Sequence, residues 1–135
     1  MKLTILDEAL EDLNDIALRS ADDKYFILSI LEDIENDPRA AARLLDEGAW
    51  PIGSDLVDVM PFRFFFRKGY DVWRMKIYEL GEDLLPYRLI YAYDYRLREI
   101  YILAVMHRRV DYQNDPKFTA RIRAACLALN LPVSR

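Results

Sequence analysis

The sequence has one cysteine, Cys126, one histidine, His107, and four glycines among 135 residues. A single cysteine excludes an intramolecular disulfide framework. There is no CxxC, HExxH, P-loop or GxGxxG pattern, so zinc, ATP and dinucleotides have no support and no cofactor is expected. No apolar run approaches the roughly 20 residues that span a bilayer. The opening Met1-Lys2-Leu3-Thr4-Ile5-Leu6-Asp7-Glu8 turns acidic at once, unlike a secretory signal. The expectation is a soluble, cytoplasmic protein with no membrane partner. Disorder is excluded by what is present: nine Tyr, six Phe and two Trp in a chain that is 53% hydrophobic. The length suits one domain, 1–135, with a core that needs no metal or disulfide.

Net charge is −4, which by itself argues against a nucleic-acid binder, but the charge is unevenly spread. Residues 1–60 hold five Lys/Arg against fifteen Asp/Glu, and residues 61–135 hold fourteen against eight. The acidic half reads equally well as solvated helix faces. The basic half can attract a polyanion.

Residues 1–5 read as a short first strand. From Asp7, Leu6, Leu10, Leu13 and Ala17 recur at helical spacing. A second helix spans about 22–36, with Phe26, Ile27, Ile30, Leu31 and Ile34 as its stripe, and Asp37-Pro38 ends it. A short third helix, 39–47, stops at Gly48. Residues 49–61 are irregular, with Pro51, Gly53 and Pro61, and 62–67 read as a short strand. Three strand-like runs follow. Residues 72–80 alternate, with Trp73, Met75 and Ile77 on one face and Arg74 and Lys76 on the other. Residues 86–95 are aromatic and β-prone, and 99–107 are almost wholly apolar, as in a strand covered on both faces. A last helix spans 117–129. The expected fold is α+β: an N-terminal helical hairpin (about 7–47) packed on a small antiparallel sheet whose meander spans about 70–108, with a C-terminal helix.

The segments Asp71-Val72-Trp73-Arg74-Met75-Lys76-Ile77, Tyr87-Arg88-Leu89-Ile90-Tyr91 and Ile100 through Met106-His107-Arg108-Arg109 resemble the RelE/ParE superfamily, the toxins of type II toxin–antitoxin systems. The helical opening Leu6 to Leu13 is similar to that family's first helix, and the resemblance runs in order over about 1–112. The chain departs from the family in a longer connection, Glu79 to Pro86, and in a pI near 5.0, low for toxins that are commonly basic.

The resemblance implies a RelE-like, metal-independent endoribonuclease that cleaves mRNA in the ribosomal A site and inhibits translation. The ribose 2′-hydroxyl attacks the adjacent phosphate, and cations replace a metal in stabilising the phosphorane. Carried over motif by motif, the catalytic residues are Arg74, Lys76, Arg88, Arg108 and Tyr112. Lys76 or Tyr112 would be the base, Arg88 the phosphorane contact, and Arg108 the leaving-group acid or a second anion contact. His107 is a possible acid/base of a related nuclease branch.

Each residue also has a plainer reading. Alternating Arg74 and Lys76 suit any half-solvated sheet face. Arg88, in an aromatic strand, calls for a partner such as Asp94 or Glu99. His107 suits a structural strand end, Tyr112 a core cap, and Cys126 a buried small hydrophobe. The functional alternatives are a ParE-like inhibitor that binds DNA gyrase without chemistry and a non-toxic binding module. A cognate antitoxin is the implied partner of either toxin.

Overall fold

The computed structural model describes residues 1–79 and 83–133. Its elements run β1 (Lys2–Ile5), α1 (Asp7–Arg19), α2 (Ala21–Asn36), α3 (Ala40–Leu44), β2 (Gly48–Ile52), β3 (Asp55–Pro61), α4 (Arg63–Phe66), β4 (Val72–Glu79), β5 (Asp83–Asp94), β6 (Glu99–His107) and α5 (Pro116–Ala128). The six strands form one mixed sheet in the order β1-β6-β5-β4-β3-β2.

This corrects the expected architecture. The fold is α+β, but it is not a small antiparallel sheet under an N-terminal hairpin. Strand β1 joins β6 in parallel, pairing Lys2–Ile5 with Glu99–Ile102, so the sheet is mixed. Four of the five helices lie between strands in the chain. The stretch read as irregular contains two strands, β2 and β3, paired antiparallel around Gly53 at φ 59°. Pro51 is tolerated because β2 is an edge strand, and Pro61 closes β3. The run 62–67 forms the helical turn α4 rather than a strand. Phe62 and Phe65, three apart, are both buried and meet edge-to-face with ring centroids 5.0 Å apart. The connection read as long is partly strand, since β4 reaches Glu79 and β5 begins at Asp83; Leu80, Gly81 and Glu82 lie outside the described residues.

Alternation on the strands divides the molecule into two cores. Trp73, Met75 and Ile77 of β4 face one side with Tyr87, Leu89 and Tyr91 of β5, where Leu13, Ile27 and Ile34 from α1 and α2 cover them. Tyr91 Oη donates to Leu44 O at 2.6 Å, fixing α3 to this face. The other face is covered over part of its area by α4, α5 and the segment before α5. Phe62, Phe65, Tyr112, Phe118, Ile122 and Cys126 pack there on Val72, Ile90 and Met106. Strand β6 lies between these layers, which explains its unbroken apolar run. Past Ile102, β1 has ended, and side chains take over the edge of β6. Asp12 Oδ2 accepts from Val105 N–H at 2.9 Å, while Arg121 donates to Leu103 O and to Asp12. Asp115 caps α5 by accepting from Lys117 N–H, with Pro116 in the first turn. No helix among the described residues is long and apolar enough to cross a membrane.

Candidate functional site

The site is built by register. On the face that α4 and α5 leave partly open, β3, β4, β5 and β6 align Asp58 with Lys76, Lys76 with Arg88, and Arg88 with Met106. The next row aligns Met60, Arg74, Ile90 and Ala104. Arg74, Lys76 and Arg88 therefore share one face, because side chains two apart on a strand point the same way. Directly opposed residues in an antiparallel pair have Cβ atoms about 4.5–5.5 Å apart, so Lys76 and Arg88 are immediate neighbours.

The three cations are not equivalent. Arg74 is only 4% exposed, and its Nη1 donates to Asp58 O at 3.1 Å and to Asp58 Oδ2 at 3.2 Å. It is buried and paired with Asp58, so Arg74 acts on its surroundings rather than on a ligand. Lys76 and Arg88 are half-buried, and neither has an ion pair among the described residues. Lys76 is held below the ordinary lysine range, first by burial, then by the charges of Arg74 and Arg88, with Asp58 opposing. Arg88 lies over the Tyr112 ring at 5.7 Å, and its Nε is buried without a hydrogen-bond partner. The suggested partners of Arg88 are engaged elsewhere. Asp94 accepts from Arg96, and Glu99 accepts from Thr4 and pairs with Lys2.

Tyr112 is buried, edge-to-face on Phe62 at 5.0 Å, and its hydroxyl accepts from Gln113 Nε2 at 3.1 Å. It caps the second core and at the same time floors the Arg88 guanidinium. Arg108 follows β6 with its side chain exposed, and its backbone N–H donates to Pro86 O at 2.8 Å. It thus stands at the margin of the cation row rather than within it. His107 is not part of the row. It meets Tyr87 edge-to-face at 5.8 Å on the opposite, helix-covered side, beside Asp12, Asp15 and Arg19. Its Nδ1 accepts from Arg109 N–H at 3.1 Å. Burial first, then Arg109, Arg108 and Arg19, lower its pKa, so it is neutral more readily than an ordinary histidine.

The sequence reading missed Asp58, which lies in the stretch read as irregular and decides the state of Arg74. The alternation Val57, Val59 around Asp58 was the available signal. No group of His, Cys, Asp and Glu among the described residues is arranged to hold a metal ion. The chain matches no family model, no curated protein and no solved structure.

The chemistry open to this arrangement is limited and specific. Lys76 offers an amine with a lowered pKa, able to act as a base closer to neutrality than a free lysine. Arg88 offers a fixed cation for a phosphorane or a bound phosphate. Arg108, exposed after β6, offers a second cation for an anion at the margin of the row.

Proposed function

We propose that the protein is the toxin of a type II toxin–antitoxin pair related to the RelE/ParE superfamily, and that it cleaves mRNA on the ribosome at the face around Lys76 and Arg88. The opposition of Lys76 and Arg88 carries this reading. Like charges placed directly across a sheet destabilise it. A phosphodiester between them relieves that repulsion and is held by attraction to both.

In this reading Lys76 removes the proton from the ribose 2′-hydroxyl. The 2′-oxygen bonds to phosphorus, the bond to the 5′-oxygen breaks, that oxygen takes a proton from water, and the hydroxide so formed takes back the proton held by Lys76. The products are a 2′,3′-cyclic phosphate and a 5′-hydroxyl. Arg88 stabilises the phosphorane dianion, and Tyr112 holds Arg88 in place from below. Arg74 and Asp58 set the potential at Lys76. A cognate antitoxin would keep the protein inactive by covering the same face.

The Arg74–Asp58 pair favours a second reading, because it removes one of the cations that chemistry would use. On that reading the protein is a ParE-like gyrase inhibitor or a non-toxic binding module. Induced expression in a bacterium with primer extension on a reporter mRNA separates the two. The nuclease gives growth arrest, relieved by the adjacent small gene, and codon-phased cuts that Arg88→Ala strongly reduces without lowering the melting temperature. Intact mRNA in arrested cells, with gyrase-dependent DNA breaks, would overturn it.

A further inference from the structure

Beside the cation row, α4 and the turn before α5 enclose a hollow of about 490 Å³. It is lined by Met60, Arg63, Phe64, Arg67, Gln113 and Asn114, with no carboxylate among the described residues. Arg63 and Arg67 are exposed and one helical turn apart, the Arg67 N–H donating to Arg63 O at 3.0 Å. Two more cations are drawn in by the Phe64 ring: Lys68 Nζ lies 4.9 Å from its centroid and the Arg123 guanidinium 5.6 Å.

The polar side chains are turned in a particular way. Gln113 spends an N–H on Tyr112 Oη, and Asn114 Nδ2 donates to both oxygens of Asp111. Both amides are thereby oriented by their donors, which leaves their carbonyl oxygens as acceptors. Cations beside amide acceptors suit a ligand that is anionic at one point and offers N–H donors at another. A nucleotide does both, through its phosphate and the exocyclic amine of adenine, cytosine or guanine. An acidic peptide segment has carboxylates for the cations but could meet the amides only through its backbone N–H groups, which do not vary with its side chains.

The hollow adjoins the cation row. Met60 is the register partner of Arg74, and Gln113 is bonded to Tyr112. We infer that the hollow between α4 and the 111–115 turn binds the single-stranded RNA next to the scissile step, with Arg63 and Arg67 on successive phosphates and Gln113 and Asn114 on the amino group of a base. This rests on the reading of the Lys76–Arg88 face as RNA-directed.

The test is fluorescence anisotropy with short 2′-O-methyl oligoribonucleotides, which cannot be cleaved, on the full chain. Arg63→Gln with Arg67→Gln is expected to weaken binding about tenfold at low salt and to reduce the salt slope by about 1.4, at about 0.7 per single-strand phosphate contact. Oligo(A) and oligo(C) are expected to bind more tightly than oligo(U), which lacks an exocyclic amine, and Gln113→Ala with Asn114→Ala should erase that preference. Unchanged melting temperatures establish that the variants are folded. No binding, binding indifferent to Arg63 and Arg67, or tighter Arg63-dependent binding of polyglutamate than of RNA overturns the inference. The two readings fail separately: a protein that binds through Arg63 and Arg67 but never cuts refutes the nuclease alone, and one that cuts with affinity independent of those arginines refutes the hollow alone.

Discussion

Lys76 of β4 and Arg88 of β5 face each other directly across the sheet, and neither has an ion pair among the described residues. The nearby carboxylate of Asp58 is instead bonded to the buried Arg74. Two neighbouring cations are therefore left to repel one another on a surface open to solvent.

This opposition predicts a particular pH profile. If Lys76 is the base, cleavage rises with pH and levels off below the ordinary lysine value of about 10.4, because the neutral amine is the active form. Removing a repelling cation makes Lys76 easier to protonate. Residual cleavage by Arg88→Gln should thus have its rising limb at higher pH than the wild type. A limb that stays in place, measured from single-turnover rates, would show that Lys76 is not the titrating group.

The Arg74–Asp58 pair predicts a loss of stability on truncating either partner. Asp58→Ala leaves Arg74 buried with only the backbone Asp58 O as acceptor and should cost about 1–3 kcal/mol in urea unfolding. The larger loss typical of a fully buried pair is not expected, since the Asp58 side chain is 35% exposed. Arg74→Met, which removes the buried charge itself, should cost less than Asp58→Ala. The reverse order would mean that the pair is not what holds Arg74 in place.

Asp94 predicts part of the acid response. Its hydrogen bonds from the Arg96 side chain hold its carboxyl below the usual range, and burial opposes them. A depressed carboxylate pKa adds stability above the unfolded value of about 3.9, and that stability is lost as pH falls through the folded value. Asp94→Asn should therefore be less stable than the wild type at neutral pH, and the difference should shrink at acid pH. A gap independent of pH would assign the effect to packing.

Cys126 predicts an inert thiol. It is buried in the second core, and burial pushes its pKa up to about 11. Thiol reagents at neutral pH should label it only after denaturation. Rapid labelling of the folded protein would place α5 away from the sheet.

The legible parts of this fold are those where one periodicity persists. The α1 and α2 stripes and the alternation of β4 could be read because each runs for two turns or several pleats without interruption. The parallel pairing of β1 could not, because four residues carry no mark of which strand they join. Pro51, Gly53 and Pro61 obscured β2 and β3, although each is permitted where it stands, at an edge, a turn and a strand end. Phe62 to Phe66 is apolar at every spacing except Arg63, so period two and period three fit equally, and packing against Tyr112 and Phe118 decided for a helix. In the site, the shared face of Arg74 and Lys76 follows from alternation alone. Their different fates do not, since these depend on the register that brings Asp58 beside them. The side on which His107 lies was likewise a matter of the bulge between Ile90 and Tyr91 and of where α1 packs.

The parallel pairing of Lys2–Ile5 with Glu99–Ile102 joins two segments 97 positions apart in the sequence. Strand β1 has no partner until β6 is present, so completion of the sheet is a long-range closure. A chain that stopped before Glu99 would hold β4 and β5 without β6, and its cation row would lack the Met106 flank and the Tyr112 floor. The cation row is thus complete only once β6 and the segment carrying Tyr112 are in place.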